Sequence, residues 1–137
     1  MPRAAAEVCV ESLAAFSKGD TPALLETLHP EIEVIDDPRL PGAGTHHGHD
    51  GAAKYFESFR KFWATWEAEL KETWVTGNVV LLLTRWSAVS KSGVSLDSPA
   101  GFLGEVEDGL IRRIQVYQGD LSRAEEDFNA LAAASEG

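Results

Sequence analysis

The segment DGAAKYFESFRKFWATW, residues 50–66, decides the fold of this chain. Its apolar side chains recur at three- and four-residue steps, which is the period of one face of an α-helix. The members of this face are Ala52, Tyr55, Phe56, Phe59, Phe62, Trp63 and Trp66. A face so rich in aromatic rings has to pack against other elements, so we predict a long central helix across the whole segment.

Two shorter helices and one strand precede this segment. Apolar residues within 3–18 share a helical face that Gly19 ends. Thr21 is a good N-cap for the second helix, with Pro22 at the first helical position. Residues 31–36, EIEVID, alternate charged and apolar side chains, which predicts a strand. Prolines and glycines at positions 38–44 predict a loop after it.

Four strand-like segments follow the central helix, at about residues 67–76, 78–90, 94–107 and 110–118. Their short connections require antiparallel neighbours. Ser122 and Glu125 predict a capping box for a last helix. We therefore predict an α+β fold in which a curved antiparallel sheet wraps around the long helix and the two N-terminal helices, enclosing an apolar pocket. One domain spans residues 1–137, with a core at about 5–120 and a C-terminal helical tail at 121–137.

The composition excludes several classes of partner. Twenty-two acidic and twelve basic residues give a formal net charge of −10, which repels phosphate backbones and anionic lipid, so we expect neither nucleic acid nor a membrane. The longest apolar run, residues 79–83, is too short to cross a bilayer. Cys9 is the single cysteine, so no intrachain disulfide is possible and a cytoplasmic location is expected. The sequence has no phosphate loop or dinucleotide fingerprint, so we expect no organic cofactor.

Three stretches carry a family resemblance: HPEIEVIDDP (29–38), LPGAGTHHGHDGAAKYF (40–56) and VEDGLIRRIQVYQGD (106–120). In this order they resemble the SnoaL-like branch of the nuclear transport factor two-like superfamily. The resemblance implies a cone-shaped α+β barrel with an apolar pocket, often a homodimer through the outer face of the sheet. Its members include polyketide cyclases, ketosteroid isomerases and small epoxide hydrolases, so it implies a small polyketide-, steroid- or terpenoid-like ligand.

The catalytic residues of these relatives carry over only in part. Asp37 matches the ketosteroid isomerase base, but Ser12 and Phe102 stand where the oxyanion donors should be. Steroid isomerisation by that mechanism is therefore disfavoured. The limonene-type epoxide hydrolase pattern keeps only its arginine, at Arg85.

Asp37 is the candidate general acid or base under each remaining chemistry. A polyether-type epoxide hydrolase would pair it with Glu67 or Glu69, and a SnoaL-like cyclase would pair it with a histidine. Adjacent strand residues point to opposite faces, so only one of Asp36 and Asp37 can face the pocket. Apolar walls would raise the pKa of that carboxyl and make it usable in catalysis. In the alternative interpretation, Asp37 caps the turn before the proline.

Three of the four histidines, His46, His47 and His49, lie just after this carboxylate pair. Zinc would need His47 and His49 to converge with one of the aspartates, and a glycine-rich loop does not fix that geometry, so we predict no metal. His47 is the candidate proton shuttle at the pocket mouth. In the alternative interpretation, the loop faces solvent and His49 or Asp50 caps the helix.

Arg85 interrupts an otherwise apolar strand, so its charge needs an acid or the mouth of a cavity. It is a candidate to bind a carboxylate or enolate; the alternative is an ion pair with Glu105 or Asp97 across the sheet. The predicted ligand-binding residues are Phe59, Trp63, Phe102 and Tyr117.

Two functions remain open. The first is an enzyme or binder for an apolar, ring-containing molecule, with Asp37 as acid or base and with His47 and Arg85 assisting. The second is a non-catalytic dimeric module for a ligand or a protein partner.

Overall fold

A computed structural model describes residues 4–36 and 44–136 of the chain. Over these residues it has the predicted α+β architecture, with four helices and a six-stranded sheet. The helices are α1 (Ala5–Lys18), α2 (Thr21–Glu26), α3 (Gly48–Phe62) and α4 (Ser122–Glu136). The strands are β1 (Leu28–Ile35), β2 (Thr45–His47), β3 (Trp63–Thr76), β4 (Val79–Ser90), β5 (Ser95–Glu107) and β6 (Leu110–Gln118).

The turn between α1 and α2 has clear local causes. Gly19 ends α1 with a φ of 69°, a left-handed conformation that glycine adopts without a Cβ clash. Asp20 then caps α2, because its carboxylate accepts a hydrogen bond from the backbone N–H of Ala23 at 3.2 Å. The sequence predicts Thr21 as this cap, and the structure places the cap one residue earlier.

β1 begins at Leu28, earlier than the alternating pattern predicts, and pairs with two strands. It runs parallel to β6 on one side and antiparallel to β2 on the other. The parallel pairing and the short strand β2 are not predicted by the sequence pattern. Because of β2, His46 lies opposite Val34 and His47 lies opposite Glu33.

The central helix is shorter than predicted, because α3 ends at Phe62 and Trp63 begins β3. The register of β3 against β4 shifts between Trp63 and Thr65, where a β-bulge interrupts the pairing. Trp63 and Trp66 both pack in the cluster around Trp86. Because of the bulge, Trp63 and Trp66 lie on the same face of β3 although they are three residues apart, as they would in a helix. The sequence pattern therefore predicts a helix that continues past Phe62.

The sheet has the order β2-β1-β6-β5-β4-β3, and strands β3 to β6 form the predicted antiparallel meander. Alternate residues of β4 are buried on opposite faces. Val80 and Leu82 pack against α1 and α3 on one face, which we call the concave face. Val79 and Leu81 pack on the other face, which we call the convex face.

α4 covers part of the convex face. Its Ala124 and Phe128 are buried with Leu81 and Leu103, and the ring of Phe128 packs edge-on against Trp74 at a centroid distance of 5.6 Å. The C-terminal segment is thus a packed layer of the fold. No helix in the described part of the chain combines the length and apolar character needed to span a bilayer.

Candidate functional site

A cavity of about 440 Å³ lies between the concave face and α3. This volume is in the range of small-molecule sites in proteins. Its walls are largely aromatic: Phe16, Phe59, Phe62, Trp63, Trp86 and Phe102. Its polar lining residues are Asp36, His46, Tyr55, Ser58 and Gln118.

A narrower cavity of about 70 Å³ lies deeper, against α1. Phe16, Tyr55 and Phe102 line both cavities. At the deep end, Gly104 faces Cys9, and a Cβ added to the glycine would lie 3.1 Å from Cys9 Sγ. The thiol therefore takes the space that a larger residue at position 104 would need. Burial raises the pKa of the Cys9 thiol from 9.0 to about 12, so this side chain behaves as an apolar group.

The aromatic wall is built by rings from α1, α3, β3 and β4. Phe59 contacts Phe16 at a centroid distance of 4.9 Å and Trp86 at 5.5 Å. Trp63 lies 6.3 Å from Phe59 and 6.4 Å from Trp86. These tilted and edge-to-face contacts are the arrangement that aromatic pairs prefer, so the wall is held by its own packing.

Among the described residues, Asp36 is the carboxylate that lines the cavity. Ile32 and Val34 of β1 are buried in the core, and Asp36 continues their alternation by two residues. Its backbone N–H donates to the carbonyl oxygen of Gly44 at 3.1 Å, which extends the β1–β2 pairing past Ile35. The strand geometry therefore sets the direction of this side chain.

Tyr55 of α3 donates its hydroxyl to the Asp36 carboxylate. Burial first, then the charge of Asp36 and this hydrogen bond, raise the pKa of the Tyr55 hydroxyl above its ordinary value of 10.0. The phenol thus stays protonated and remains a hydrogen-bond donor. A carboxylate held by a neutral donor at the edge of an aromatic cavity can take or give a proton at a bound molecule.

His46 is the histidine that lines the cavity, and its ring lies 5.0 Å from that of Tyr55. His47, the predicted proton shuttle, is exposed, because adjacent residues of β2 point to opposite faces. His49 Nε2 lies 2.9 Å from the carbonyl oxygen of Leu28. The structure therefore does not bring these three rings together, and neither His49 nor Asp50 caps α3, since His47 is the cap position.

Arg85, a predicted catalytic residue, does not line the cavity. It alternates with Thr84 and Trp86 on β4 and its side chain is exposed. Its guanidinium donates to Asp97 Oδ2 at 2.9 Å, one of the two ion pairs considered from the sequence. Glu105, the other candidate acid, accepts from Arg113 at 3.0 Å.

Tyr117 also lies away from the cavity, although it is a predicted ligand-binding residue. It is buried on the convex face and donates to Asp127 Oδ2 of α4 at 2.6 Å. Its neighbour Val116 faces the cavity instead. The sequence pattern does not show whether Val116 or Tyr117 points into the cavity. The register of β6 against β5 decides this.

Phe59, Trp63 and Phe102, the other predicted ligand-binding residues, line the cavity. Asp37, the predicted acid or base, lies outside the described residues. Its possible partners Glu67 and Glu69 are exposed on β3, and Glu69 accepts from Lys71 at 2.8 Å. His46 and Tyr55 are missed as site residues by the sequence pattern, which leaves open whether Asp36 or Asp37 faces the pocket. The continued alternation from Ile32 and Val34 is the signal that points to Asp36.

The sequence model of the SnoaL-like domain family matches residues 10–114 of the chain. The chain belongs to the SnoaL-like domain family. This agrees with the order of helices and strands and with the cavity on the concave face. A comparison with curated proteins gives no match.

Several solved structures share this fold. An NTF2-like protein of unknown function from Burkholderia pseudomallei superposes with a TM-score of 0.78 and 19% identity, over 89% of this chain and 95% of its own. TerC, co-crystallised with polyporic acid, superposes with a TM-score of 0.77 and 19% identity, over 91% of this chain and 98% of TerC. A protein with a ketosteroid isomerase-like fold from Catenulispora acidiphila, in complex with trimethylamine, superposes with a TM-score of 0.74 and 14% identity, over 82% of this chain and 85% of its own. At these identities the likeness shows the fold alone.

Proposed function

We propose that this SnoaL-like protein binds an apolar, ring-containing molecule in the cavity of about 440 Å³ and that Asp36 is its general acid or base. The observation that carries the proposal is the Asp36–Tyr55 hydrogen bond at the edge of an aromatic-walled cavity. Polyketide-like, steroid-like and terpenoid-like compounds have the shape and polarity for such walls. Two relatives of the same fold hold small molecules, which supports a binding role.

The proposal replaces Asp37 by Asp36 and His47 by His46. Asp36 would move the proton, Tyr55 would hold the carboxylate by its hydrogen bond, and His46 would exchange protons with solvent at the mouth. The ketosteroid isomerase mechanism gains no support, because Phe102 is a wall residue with no proton to donate. The proposed reaction is an acid/base isomerisation, a cyclisation or an epoxide opening.

Ligand binding is tested by narrowing the mouth of the cavity. Ser58 is exposed and lines the cavity, whereas its neighbour Glu57 is exposed and points elsewhere, toward Lys61 at 3.3 Å. Fluorescence titrations with steroids, aromatic polyketides and terpenoid epoxides report on binding, because Trp63 and Trp86 line the site.

Ser58→Trp is expected to weaken binding of any bound class by about tenfold or more, and Glu57→Trp to leave it unchanged. Binding that is equally strong in both variants would place the ligand elsewhere on the protein. Binding without conversion of any compound would support the non-catalytic module in place of the enzyme.

A further inference from the structure

Trp86 has a buried indole N–H that lacks a partner. Among the described residues, its Nε1 is the one buried side-chain nitrogen or oxygen for which the structure gives no hydrogen bond. The side chain is only 2% exposed. A buried donor without an acceptor is unfavourable, and folded proteins rarely keep one without a reason.

The surroundings of Trp86 offer rings in place of acceptors. Phe16 stacks on it at a centroid distance of 5.9 Å, and Phe59 and Trp63 pack edge-to-face at 5.5 and 6.4 Å. The same side chain also lines the cavity of about 440 Å³. Nε1 itself has almost no accessible surface, so a molecule in that cavity reaches this N–H when the rings that cover it shift, and it then brings the acceptor that the protein wall does not supply.

Trp66 shows what a tryptophan with a protein partner looks like in the same region. Its Nε1 donates to the carbonyl oxygen of Phe16 at 2.9 Å. Trp66 packs in the same aromatic cluster as Trp86 but does not line the large cavity. The difference between these two side chains coincides with contact to the cavity.

We propose that the indole N–H of Trp86 donates a hydrogen bond to an oxygen acceptor of the ligand and so selects ligands with a ketone, quinone, ester or ether oxygen. This inference rests on the proposed ligand-binding function. It makes Trp86 a specificity-determining residue, separate from Asp36, which moves the proton, and from Tyr55, which holds the Asp36 carboxylate.

The position of Trp86 also constrains the ligand. Trp86 is on β4 and Asp36 follows β1, and two strands, β6 and β5, lie between them. Three strand spacings correspond to about 14 Å along the curved sheet. A ligand that contacts both groups therefore touches two separate parts of the cavity wall.

An alternative partner for the N–H is the face of a neighbouring ring, since N–H···π contacts occur in proteins. In that case the group would stabilise the fold and would not discriminate between ligands. The experiment therefore compares ligand pairs that differ only in the acceptor oxygen.

α-Tetralone and tetralin are such a pair, because they share a bicyclic skeleton and only the first has a ketone. Their Kd values are measured by calorimetry for the wild-type protein, for Trp86→Phe and for Trp66→Phe. In a further variant, β-(3-benzothienyl)alanine replaces Trp86, which keeps the ring shape and removes the N–H. The readout is the ratio of the two Kd values, so a general loss of affinity in a variant cancels.

Both replacements of Trp86 are expected to reduce the preference for α-tetralone by about tenfold, and Trp66→Phe to leave it unchanged. A preference unchanged in the benzothienylalanine variant overturns the inference while leaving the proposed binding function intact. If wild-type protein binds neither this pair nor any compound of the wider panel, the proposed function fails and the inference fails with it.

Discussion

Tyr117 Oη lies 2.6 Å from Asp127 Oδ2, and this hydrogen bond joins β6 to α4. It is formed on the convex face, where Leu81 and Leu103 of the sheet are buried with Phe128 of the helix. The outer face through which such domains are expected to dimerise is thus partly covered by the chain itself. A homodimer stays a prediction, and light scattering on the full chain tests it.

Tyr117→Phe is expected to lower the free energy of unfolding by about 1 to 2 kcal/mol, because the Asp127 carboxylate loses a charge-assisted hydrogen bond. Urea unfolding measures the change. Asp127→Asn keeps an oxygen acceptor for the Tyr117 hydroxyl, so it should lower the free energy of unfolding by less than Tyr117→Phe does. Ligand affinity should stay at the wild-type value in both variants, and a large loss would return Tyr117 to the ligand site.

Arg85→Ala is expected to leave stability nearly unchanged, because the ion pair with Asp97 is exposed and screened by solvent. Affinity and turnover should both be unchanged, since Arg85 does not line the cavity. Kinetics of the variant check this directly. A loss of turnover of tenfold or more would restore Arg85 as a catalytic residue.

Cys9 predicts a decline of stability in alkaline solution. The unfolded thiol ionises near pH 9.0, whereas burial holds the pKa of the folded thiol at about 12. Between these values the unfolded state binds fewer protons than the folded state, so the free energy of unfolding falls as pH rises through this window.

Urea unfolding at about pH 8 and about pH 11 should show a smaller decline for Cys9→Ala than for the wild type. Tyr55 adds to the decline above its ordinary pKa of 10.0, because its folded pKa is also raised. Tyr55→Phe is therefore a matched second variant. Equal declines in the wild type and in Cys9→Ala would show that the thiol is not buried as described.

Gly104→Ala is expected to destabilise the protein by about 1 kcal/mol, because the new Cβ would lie 3.1 Å from Cys9 Sγ and the sulfur would have to move by a few tenths of an ångström. Cys9→Ala in the same chain removes the sulfur and should recover part of this loss. A double-mutant cycle measured by urea unfolding isolates the coupling. Additive effects of the two substitutions would contradict the close contact.

The α+β architecture follows from the sequence because burial periodicity is local. Alternation predicts β1, the apolar run at residues 79–83 indicates β4, and short turns predict the antiparallel meander. The end of the central helix does not follow, because a bulge between Trp63 and Thr65 gives strand residues a helical spacing. Such a bulge depends on pairing with β4, whose residues lie more than twenty positions further along the sequence, so a local sequence pattern does not predict it.

The candidate site is harder to predict than the fold, because it depends on which of two neighbours points inward. The sequence offers Asp36 with Asp37, His46 with His47, and Val116 with Tyr117. Pairing between β1 and β2 aims His46 inward. Register between β5 and β6 does the same for Val116. Long-range pairing therefore decides the site.

The most direct test of the proposal measures conversion of each bound compound by chromatography, comparing the wild type with Asp36→Asn, Asp37→Asn and Asp97→Asn. Asp36→Asn should lower kcat by about a hundredfold or more with binding nearly unchanged, because it removes the group that exchanges the proton. Asp37→Asn and the exposed control Asp97→Asn should keep the wild-type rate. A wild-type rate in Asp36→Asn would contradict the account, and a loss confined to Asp37→Asn would move the chemistry to that residue.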